Sequence, residues 1–384
     1  MKKILALILV LVTLFSKGIN VNAEGPQVSA KAAVLMEVKT GSVIYEKNPH
    51  EHLSPASITK IMTLILIFEA LDEEKIKLTD NVTTSEYASS MGGSQVYLAE
   101  GEVQSVETMI KCIVISSAND ASVAMAELIA GSETEFVKRM NEKATELGMK
   151  DTNFEDCSGL TSSDNHYTSA YDVALMSREL ITHYPSVYKY TKIWMEDITH
   201  VTAKGSSSFT LSSTNKLLKQ YEYATGLKTG STSKAKFCFS ATAKKNDIEM
   251  IAVIMGADDP KVRFSEAKNL LEYAYSISKL YVDDNQEPIE NVKIAGNVTP
   301  YLSVGYEGPF EYLDIQKSDL TAIKKEIVIQ DKISAPVKYG EKVGEARYYL
   351  NNKVIGTVPI VSLQEVNRSG YGDYFVSLIK KFLF

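Results

Sequence analysis

The distribution of apolar and polar positions predicts strands near both ends of the first part of the chain, with helices between them. Residues 32–38, 42–45 and 237–243 have the length and alternation typical of strands. The alanine-rich residues 120–130 and the run at 267–275 are helix-like. We therefore expect an α+β domain.

The longest apolar run within this region, residues 57–71, predicts a helix inside the protein, because almost every face of it is apolar. Ser54 is its expected N-cap and Pro55 its expected first residue. Ser57 then falls in the first turn, where unpaired N–H groups and the helix dipole favour negative charge. Lys60 follows one turn later on the same face.

Beyond residues 285–288 the pattern changes to short alternating runs interrupted by Gly, Pro and Asn, such as 326–330 and 353–358. This pattern predicts a small all-β module. We see no group of residues in it that suggests catalysis, so a spacer or docking role is expected.

The final residues, 374–384, predict an amphipathic helix with Lys380 and Lys381 away from its apolar face. That face would carry Phe375, Leu378, Ile379 and Phe382. Such a helix can lie in a membrane interface, with its lysines near anionic headgroups. The alternative is a terminal helix docked on its own protein.

The first residues have the three parts of a secretory signal. Lysines at positions 2–3 precede the apolar residues 4–15, and a small-residue segment ends at Ala23, the expected cleavage position. A permanent transmembrane helix needs about 20 apolar residues, which is more than this segment offers. We therefore expect an exported protein.

Charge and cysteine content narrow the possible functions. The 384 residues carry a formal net charge of −7 without a concentrated basic stripe, so no nucleic-acid partner is expected. Cys112, Cys157 and Cys238 lack the spacing of metal ligands. We expect no metal site, no cofactor, at most one disulfide bridge, and buried thiols as the default.

Ser57 and Lys60 together suit acyl transfer. A serine hydroxyl attacks a carbonyl once a base removes its proton, and a lysine can be that base if burial near other cations lowers its pKa. Ser-X-X-Lys is common by itself, and a capping serine with a lysine that reaches solvent is its ordinary interpretation. A lysine within so apolar a helix, with two further motifs downstream, favours the catalytic interpretation.

The second motif is Ser117-Ala118-Asn119, directly before the helix-like residues 120–130. Ser117 can relay a proton towards a leaving group, and the amide of Asn119 can hold a carbonyl of a substrate. Without the other motifs, the same tripeptide would indicate only a loop and a helix N-cap.

The third motif is Lys228-Thr229-Gly230. Lys228 and Thr229 suit a carboxylate, and Gly230 allows a close backbone approach. The N–H of Ser231 can pair with that of Ser57 as an oxyanion hole.

The chain contains a second copy of this tripeptide, Lys39-Thr40-Gly41, between the first two strand-like runs. That copy indicates a hairpin turn. The position of residues 228–230 after the other two motifs selects them as the functional copy.

These motifs resemble those of the serine D-alanyl-D-alanine carboxypeptidases, the low-molecular-mass penicillin-binding proteins that trim peptidoglycan stem peptides. The resemblance covers nearly the whole chain. It rests on residues 54–63, 92–95, 117–121, 166–172, 214–218, 227–232 and 263–264.

The resemblance implies a β-lactamase/transpeptidase-like domain, with an antiparallel sheet flanked by helices, followed by a small all-β domain. It implies catalytic roles for Ser57 as nucleophile, Lys60 as general base and Ser117 as proton relay. The implied substrate contacts are Asn119, Lys228, Thr229, Gly230, Ser231 and Arg263. Ser231 would complete the oxyanion hole, and Arg263 would help to hold the terminal carboxylate.

The implied partners are peptidoglycan stem peptides, β-lactam antibiotics as inhibitors, and a membrane surface at the C-terminus. The expected segments are a signal peptide (1–23), a catalytic domain (24–283), a β-rich domain (284–365) and a membrane-anchor segment (366–384). The expected location is the outer face of the cytoplasmic membrane or the cell wall.

Two positions depart from the family pattern: Ser231 is often a larger residue in relatives, and Lys236 stands where glycine is usual. They bear on substrate preference rather than on the presence of the catalytic groups. His166 is interpreted as a structural hydrogen-bonding residue, although a loop histidine here can also tune acyl-enzyme hydrolysis.

Two other functions fit the same fold. A β-lactamase of class A needs a Glu-X-X-X-Asn segment, whereas Glu155 leads to Gly159 and Glu179 to His183. A non-catalytic wall-binding or antibiotic-sensing protein would not need the complete set of catalytic groups.

Overall fold

The computed structural model describes residues 25–202 and 205–383. The predicted signal peptide, residues 1–23, lies outside the described residues. The chain forms two compact units, which divide between Ala274 and Tyr275.

The described strands of the first unit form one five-stranded sheet and smaller two-stranded sheets. They are β1 Ala32–Glu37, β2 Val43–Lys47, β3 Asn81–Thr83, β4 Val103–Ser105, β5 Met195–Thr202, β6 Gly205–Ser212, β7 Ala224–Thr232, β8 Lys236–Lys245 and β9 Ile248–Ala257. Five of them make an antiparallel sheet in the order β2-β1-β9-β8-β7, which leaves β7 with a free edge among the described strands. Two pairs, β3–β4 and β5–β6, form separate two-stranded sheets.

Helices lie between and after these strands. They are α1 Lys60–Asp72, α2 Glu86–Ser89, α3 Val106–Ile115, α4 Asn119–Ala130, α5 Glu133–Glu146, α6 Ala170–His183, α7 Tyr188–Thr191, α8 Leu217–Gln220 and α9 Val262–Ile277. Helix α6 packs against β1, β9 and α1. The predicted α+β architecture with an antiparallel sheet is confirmed.

Helix α1 is the buried helix that the apolar run predicts, and its residues from Lys60 to Phe68 are all buried. Its predicted start was wrong. A 3₁₀ turn at Ala56–Thr59 precedes it, Pro55 is the residue before that turn, and no side chain caps it. Short 3₁₀ turns are common at helix N-termini. Here the turn is held by a hydrogen bond from the Ile58 N–H to the Pro55 carbonyl, 3.1 Å long.

The tripeptide Lys39-Thr40-Gly41 lies between β1 and β2, which pair antiparallel, so the predicted hairpin turn is confirmed. The three thiols, Cys112, Cys157 and Cys238, are free and buried, as expected. Their burial raises the pKa of each thiol, which makes them poor nucleophiles.

The turn between β7 and β8 explains why glycine suits position 236. Lys236 has a φ of +59°, in the left-handed region where a Cβ atom is unfavourable. The turn is otherwise well braced, because the Ala235 N–H donates to the Thr232 hydroxyl over 3.0 Å. A lysine therefore holds a strained backbone position at this turn.

Replacing Lys236 by glycine is expected to stabilise the protein slightly. The left-handed conformation costs a non-glycine residue about 1–2 kcal/mol, which glycine would avoid. Glycine also makes the unfolded chain more flexible, and this reduces the gain in stability by about 0.5–1 kcal/mol. The free energy of unfolding should therefore rise by about 0.5–1 kcal/mol, measured by urea unfolding. Lys236→Ala, which keeps the strained backbone, is the matched control. An equal gain in both variants would contradict the explanation.

The second unit is built from short antiparallel strands. They are β10 Lys279–Asp283, β11 Val292–Lys293, β12 Tyr301–Leu302, β13 Val304–Tyr306, β14 Phe310–Asp314, β15 Lys324–Ile329, β16 Lys342–Leu350 and β17 Lys353–Ser362. The main sheet has the order β13-β17-β16-β15, with β10–β14 and β11–β12 as separate pairs. The predicted β-rich domain is present. Strand β10 pairs with β14 of this unit, whereas the sequence-based boundary placed residues 279–283 with the catalytic domain.

A separate hydrophobic core holds the second unit together. The rings of Phe310 and Tyr348 stack with centroids 3.7 Å apart, and the Tyr348 hydroxyl donates to Asn285 over 2.6 Å. Val304, Val343 and Ile360 are buried around them. The alternation seen in the sequence thus supplies the inward-facing side chains of this module.

The chain ends in helix α10, Tyr371–Leu383. Phe375 is 64% exposed, Leu378 56% and Phe382 84%, and these values do not fit a helix docked on its own protein. Across the described ranges, the structure contains no helix long and apolar enough to cross a membrane.

Candidate active site

Ser57 and Lys60 meet at the junction of the 3₁₀ turn and α1. The Lys60 Nζ lies 3.3 Å from the Ser57 Oγ, and it also donates to the Asn119 Oδ1 over 2.6 Å and to the Ser158 carbonyl over 2.8 Å. Lys60 is fully buried, while Ser57 is only half-buried. A nucleophile open to the cleft therefore has a buried amine directly behind it.

The electrostatic environment prepares Lys60 to act as a base. Burial lowers its pKa to about 8, although the acidic groups of Cys157, Asp156 and Asp120 oppose this effect. A lysine with a pKa near 8 is unprotonated in a useful fraction of molecules at neutral pH. It can then accept the proton of the Ser57 hydroxyl.

A second amine faces the site from the sheet. The Lys228 Nζ donates to the Ser117 Oγ over 2.8 Å, joining residues 111 positions apart in the chain. Burial lowers the pKa of Lys228 well below its usual value, and the positive charges of Lys60 and Arg263 lower it further. Ser117 has a φ of +61°, a strained position that its surroundings must hold in place.

Asn119 is fixed by the loop between α2 and β4. Its N–H donates to the Ser94 carbonyl over 2.7 Å, and its Nδ2 donates to the Gly92 carbonyl over 2.8 Å. The next residue, Asp120, is buried and accepts from the N–H groups of Val96 and Leu98. Burial raises the pKa of Asp120, and these N–H groups oppose that shift by stabilising the carboxylate.

Strand β7 brings the third motif against the nucleophile. A Cβ atom on Gly230 would lie 2.8 Å from the Pro55 carbonyl and 3.0 Å from the Ile58 nitrogen, so only glycine fits here. This contact places the backbone of β7 directly beside the turn that carries Ser57. Ser231 follows on the free edge of the strand and is exposed, as its predicted role in an oxyanion hole requires.

Thr229 has a partner to which the sequence analysis assigned no role. The hydroxyls of Thr229 and Thr214 lie 2.6 Å apart. Thr214 lies within one of the segments that carry the family resemblance, so its position was available from the sequence. The contact itself was not, because the two residues come from separate elements.

Arg263 lies against β7 and β8 from the side of helix α9. Its Nη1 donates to the carbonyls of Gly230 over 3.0 Å and Cys238 over 3.3 Å, and the residue is 8% exposed. The observed contacts thus hold the backbone at Gly230. A direct contact between Arg263 and a substrate carboxylate stays a prediction.

The loop of residues 155–166 forms another wall of the site. Asp156 braces it by accepting from the N–H groups of Ser158 and Thr161, each over 2.7 Å, and also from that of Gly159. Gly159 has a φ of +77°, and a Cβ atom there would overlap the Ala56 carbonyl. The loop is therefore packed directly against the 3₁₀ turn.

His166 ties this loop to the 3₁₀ turn that carries the nucleophile. The Glu155 N–H donates to its Nδ1 over 2.9 Å, so the Nε2 carries the proton and donates to the Thr59 hydroxyl over 2.8 Å. Burial lowers the pKa of His166, which favours this neutral form. Both bonds are structural.

The structure therefore brings the predicted site residues into one cluster around Ser57. Ser158 was not predicted, because it contacts Lys60 through its backbone carbonyl, and a side-chain pattern in the sequence does not reveal such a contact. The arrangement of a serine, a buried low-pKa lysine, a second Ser–Lys pair and an exposed edge strand defines a serine acyl-transfer enzyme.

Comparison with known proteins agrees with this class. Residues 19–259 match the family described as D-alanyl-D-alanine carboxypeptidase, and residues 275–368 match the penicillin-binding protein 5 C-terminal domain. The D-alanyl-D-alanine carboxypeptidase DacF of Bacillus subtilis is 40% identical over 99% of this chain and 98% of its own length.

Solved structures agree as well. Penicillin-binding protein 5 from Haemophilus influenzae matches with a TM-score of 0.75 and 28% identity, covering 89% of this chain and 99% of that one. Penicillin-binding protein D2 from Listeria monocytogenes, in its ampicillin-bound form, matches with a TM-score of 0.53 and 30% identity over 64% of this chain and 97% of that one. The chain belongs to the D-alanyl-D-alanine carboxypeptidase family of serine peptidases.

Proposed function

We propose that this protein removes the terminal D-alanine from peptidoglycan pentapeptides through an acyl-enzyme on Ser57. The observation that carries the proposal is the contact of the buried Lys60 amine with Ser57, beside the Lys228–Ser117 pair. The names of the matching relatives support the substrate class.

In the first half of the reaction, the Ser57 oxygen attacks the carbonyl carbon of the penultimate D-alanine while Lys60 takes the hydroxyl proton. The N–H groups of Ser57 and Ser231 stabilise the resulting oxyanion. Ser117, backed by Lys228, passes its proton to the amide nitrogen as the C–N bond breaks and recovers a proton from Lys60, which is then neutral again. Free D-alanine leaves, and an ester to Ser57 remains.

In the second half, a water molecule attacks this ester. Lys60 accepts a proton from the water and returns it to the Ser57 oxygen as the ester C–O bond breaks, which regenerates the free enzyme. During the first half, before D-alanine leaves, the terminal carboxylate of the peptide is held by Lys228 and Thr229, with Thr214 orienting the Thr229 hydroxyl.

Penicillin is expected to acylate Ser57 as in the first half of the reaction, and the resulting ester is expected to resist the hydrolysis of the second half. Both ligands place a carboxylate near Lys228, but the opened β-lactam stays attached and occupies the site, whereas D-alanine departs. The ampicillin-bound form of the Listeria relative supports a β-lactam as a ligand of this fold.

Incubating the purified protein with a pentapeptide that ends in D-Ala-D-Ala should release free D-alanine over many turnovers. Intact-protein mass spectrometry should show a penicillin adduct that persists far longer than one peptide turnover. Rapid penicillin destruction without action on the peptide would instead indicate a β-lactamase. Binding without either reaction would indicate a sensor.

We also propose that the protein is exported by its N-terminal signal and works at the outer face of the cytoplasmic membrane, held there by α10. The exposed side chains of Phe375, Leu378 and Phe382 support an interfacial helix. Such a helix lies in the headgroup region and has no need to span the bilayer.

Removing residues 371–384 should lower binding to anionic phospholipid vesicles by about tenfold or more, because the apolar face of α10 is lost. D-Alanine release from a soluble pentapeptide should not change, since the active site lies in the other unit. Sedimentation with vesicles measures the binding. Phe375→Glu with Phe382→Glu keeps the helix length and should behave like the truncation. Unchanged sedimentation of both proteins would disprove the anchor.

A further inference from the structure

Lys234, in the turn between β7 and β8, reaches across to the loop of residues 155–166. Its Nζ lies 3.1 Å from the Ser162 carbonyl, 2.9 Å from the Ser163 carbonyl and 2.6 Å from the Asp164 Oδ1. An ammonium group has three donors, so these contacts use its full capacity. None of the sequence motifs includes this residue.

The ion pair with Asp164 is the weaker part of the contact. The Asp164 side chain is 98% exposed, and exposed pairs contribute little to stability. The two backbone carbonyls matter more, because charge-assisted hydrogen bonds are stronger than neutral ones and hold the path of the chain itself. Lys234 therefore fixes the backbone at residues 162–163.

The other ties of this loop hold different parts of it. Asp156 braces residues 158–161 from within, and His166 anchors the end of the loop to Thr59. Lys234 instead joins the middle of the loop to the turn between β7 and β8. It thus connects two walls that the rest of the described hydrogen bonds leave separate.

The order of groups along β7 shows which part of the substrate meets this connection. Lys228 and Thr229 hold the terminal carboxylate, and the Ser231 N–H meets the carbonyl that is attacked. The part of the peptide before that carbonyl must then run on towards residues 232–234. The strand ends at Thr232, one residue beyond Ser231, and Lys234 lies in the turn that follows. Since strand residues are spaced by about 3.3 Å, a long side chain on the next residue of the peptide would meet this turn.

We propose that Lys234 is a positioning residue that joins residues 162–164 to the β7–β8 turn, so that together they form a closed end of the cleft. This end receives the side chain of the residue that precedes D-Ala-D-Ala, and it selects a long side chain over a short one. The inference rests on the proposed carboxypeptidase function and adds a specificity determinant to it.

The test compares two soluble substrates, N-acetyl-Gly-D-Ala-D-Ala and diacetyl-Lys-D-Ala-D-Ala, with wild type and Lys234→Ala. We expect KM for the lysyl peptide to rise about tenfold in the variant, equivalent to about 1.4 kcal/mol of binding, with kcat changed less than about threefold. The glycyl peptide does not reach the closed end, so its KM should stay within about twofold.

Two further variants separate positioning from loss of charge. Lys234→Arg keeps donors that can reach both carbonyls and should restore most of the preference for the lysyl peptide. Lys244→Ala removes an equal charge from the other end of β8, where Lys244 is exposed, and should keep the wild-type preference. Hydrogen exchange at residues 160–164 should be about tenfold faster in Lys234→Ala than in wild type or Lys244→Ala.

The inference would be overturned if Lys234→Ala raised KM equally for both peptides. It would also be overturned if this variant kept the wild-type preference for the lysyl peptide. A selective loss with unchanged hydrogen exchange would also overturn it, because Lys234 would then contact the substrate directly. Failure of the wild type to release D-alanine from either peptide would overturn the proposed function itself, and the inference with it.

Discussion

Replacing Ser57 by alanine is expected to abolish both D-alanine release and covalent penicillin binding. In the proposed reaction the hydroxyl oxygen forms the ester, so the rate should fall by about 10⁴-fold or more. Ser57 is half-buried and its hydroxyl contacts the Lys60 amine over a long 3.3 Å, so the free energy of unfolding should change by about 1 kcal/mol or less. Intact-protein mass spectrometry after exposure to penicillin measures the adduct.

The matched control is Ser54→Ala, which removes a half-buried hydroxyl just before the same turn. That variant should still form the penicillin adduct and release D-alanine. If Ser57→Ala formed the adduct at the wild-type rate, another residue would have to be the nucleophile.

Replacing Lys60 by arginine is expected to be nearly as damaging as replacing it by alanine, although arginine keeps the positive charge. A general base must spend part of its time unprotonated, and a guanidinium group does not lose its proton in proteins. General-base loss costs about 10²–10⁴-fold, which should appear in the acylation rate of Ser57. Stopped-flow measurement with a chromogenic β-lactam gives that rate. Near-normal acylation of Lys60→Arg would show that Lys60 supplies only charge.

The pH dependence of acylation follows from the lowered pKa of Lys60. The protonated amine cannot accept the Ser57 proton, so activity should be low below the pKa and should rise with pH through about 8. The acylation rate in Lys60→Ala should lack this rise. A wild-type rate that falls between pH 7 and 9, where the protein stays folded, would contradict the assignment of Lys60 as the base.

Local sequence was sufficient to predict the nucleophile and base as a pair. Ser57 and Lys60 are three positions apart, and helical geometry alone puts such residues on one face. The same argument failed at the start of the helix, where capping preferences favoured Ser54 and Pro55. This segment instead forms a 3₁₀ turn that packs against Gly159 and Gly230, and both glycines come from distant parts of the chain.

The sequence by itself determined the chemical groups, the order of the motifs and the family of the chain. It also determined that the first part is α+β and the second part is all-β. Only the tertiary structure decided which groups meet. The contacts of Lys60 with Asn119 and of Lys228 with Ser117 join residues 59 and 111 positions apart, and the Ser158 carbonyl and the Lys234 contacts involve backbone atoms. Residue types encode side-chain chemistry and local periodicity. Burial, lowered lysine pKa values and backbone acceptors arise only when distant segments pack together.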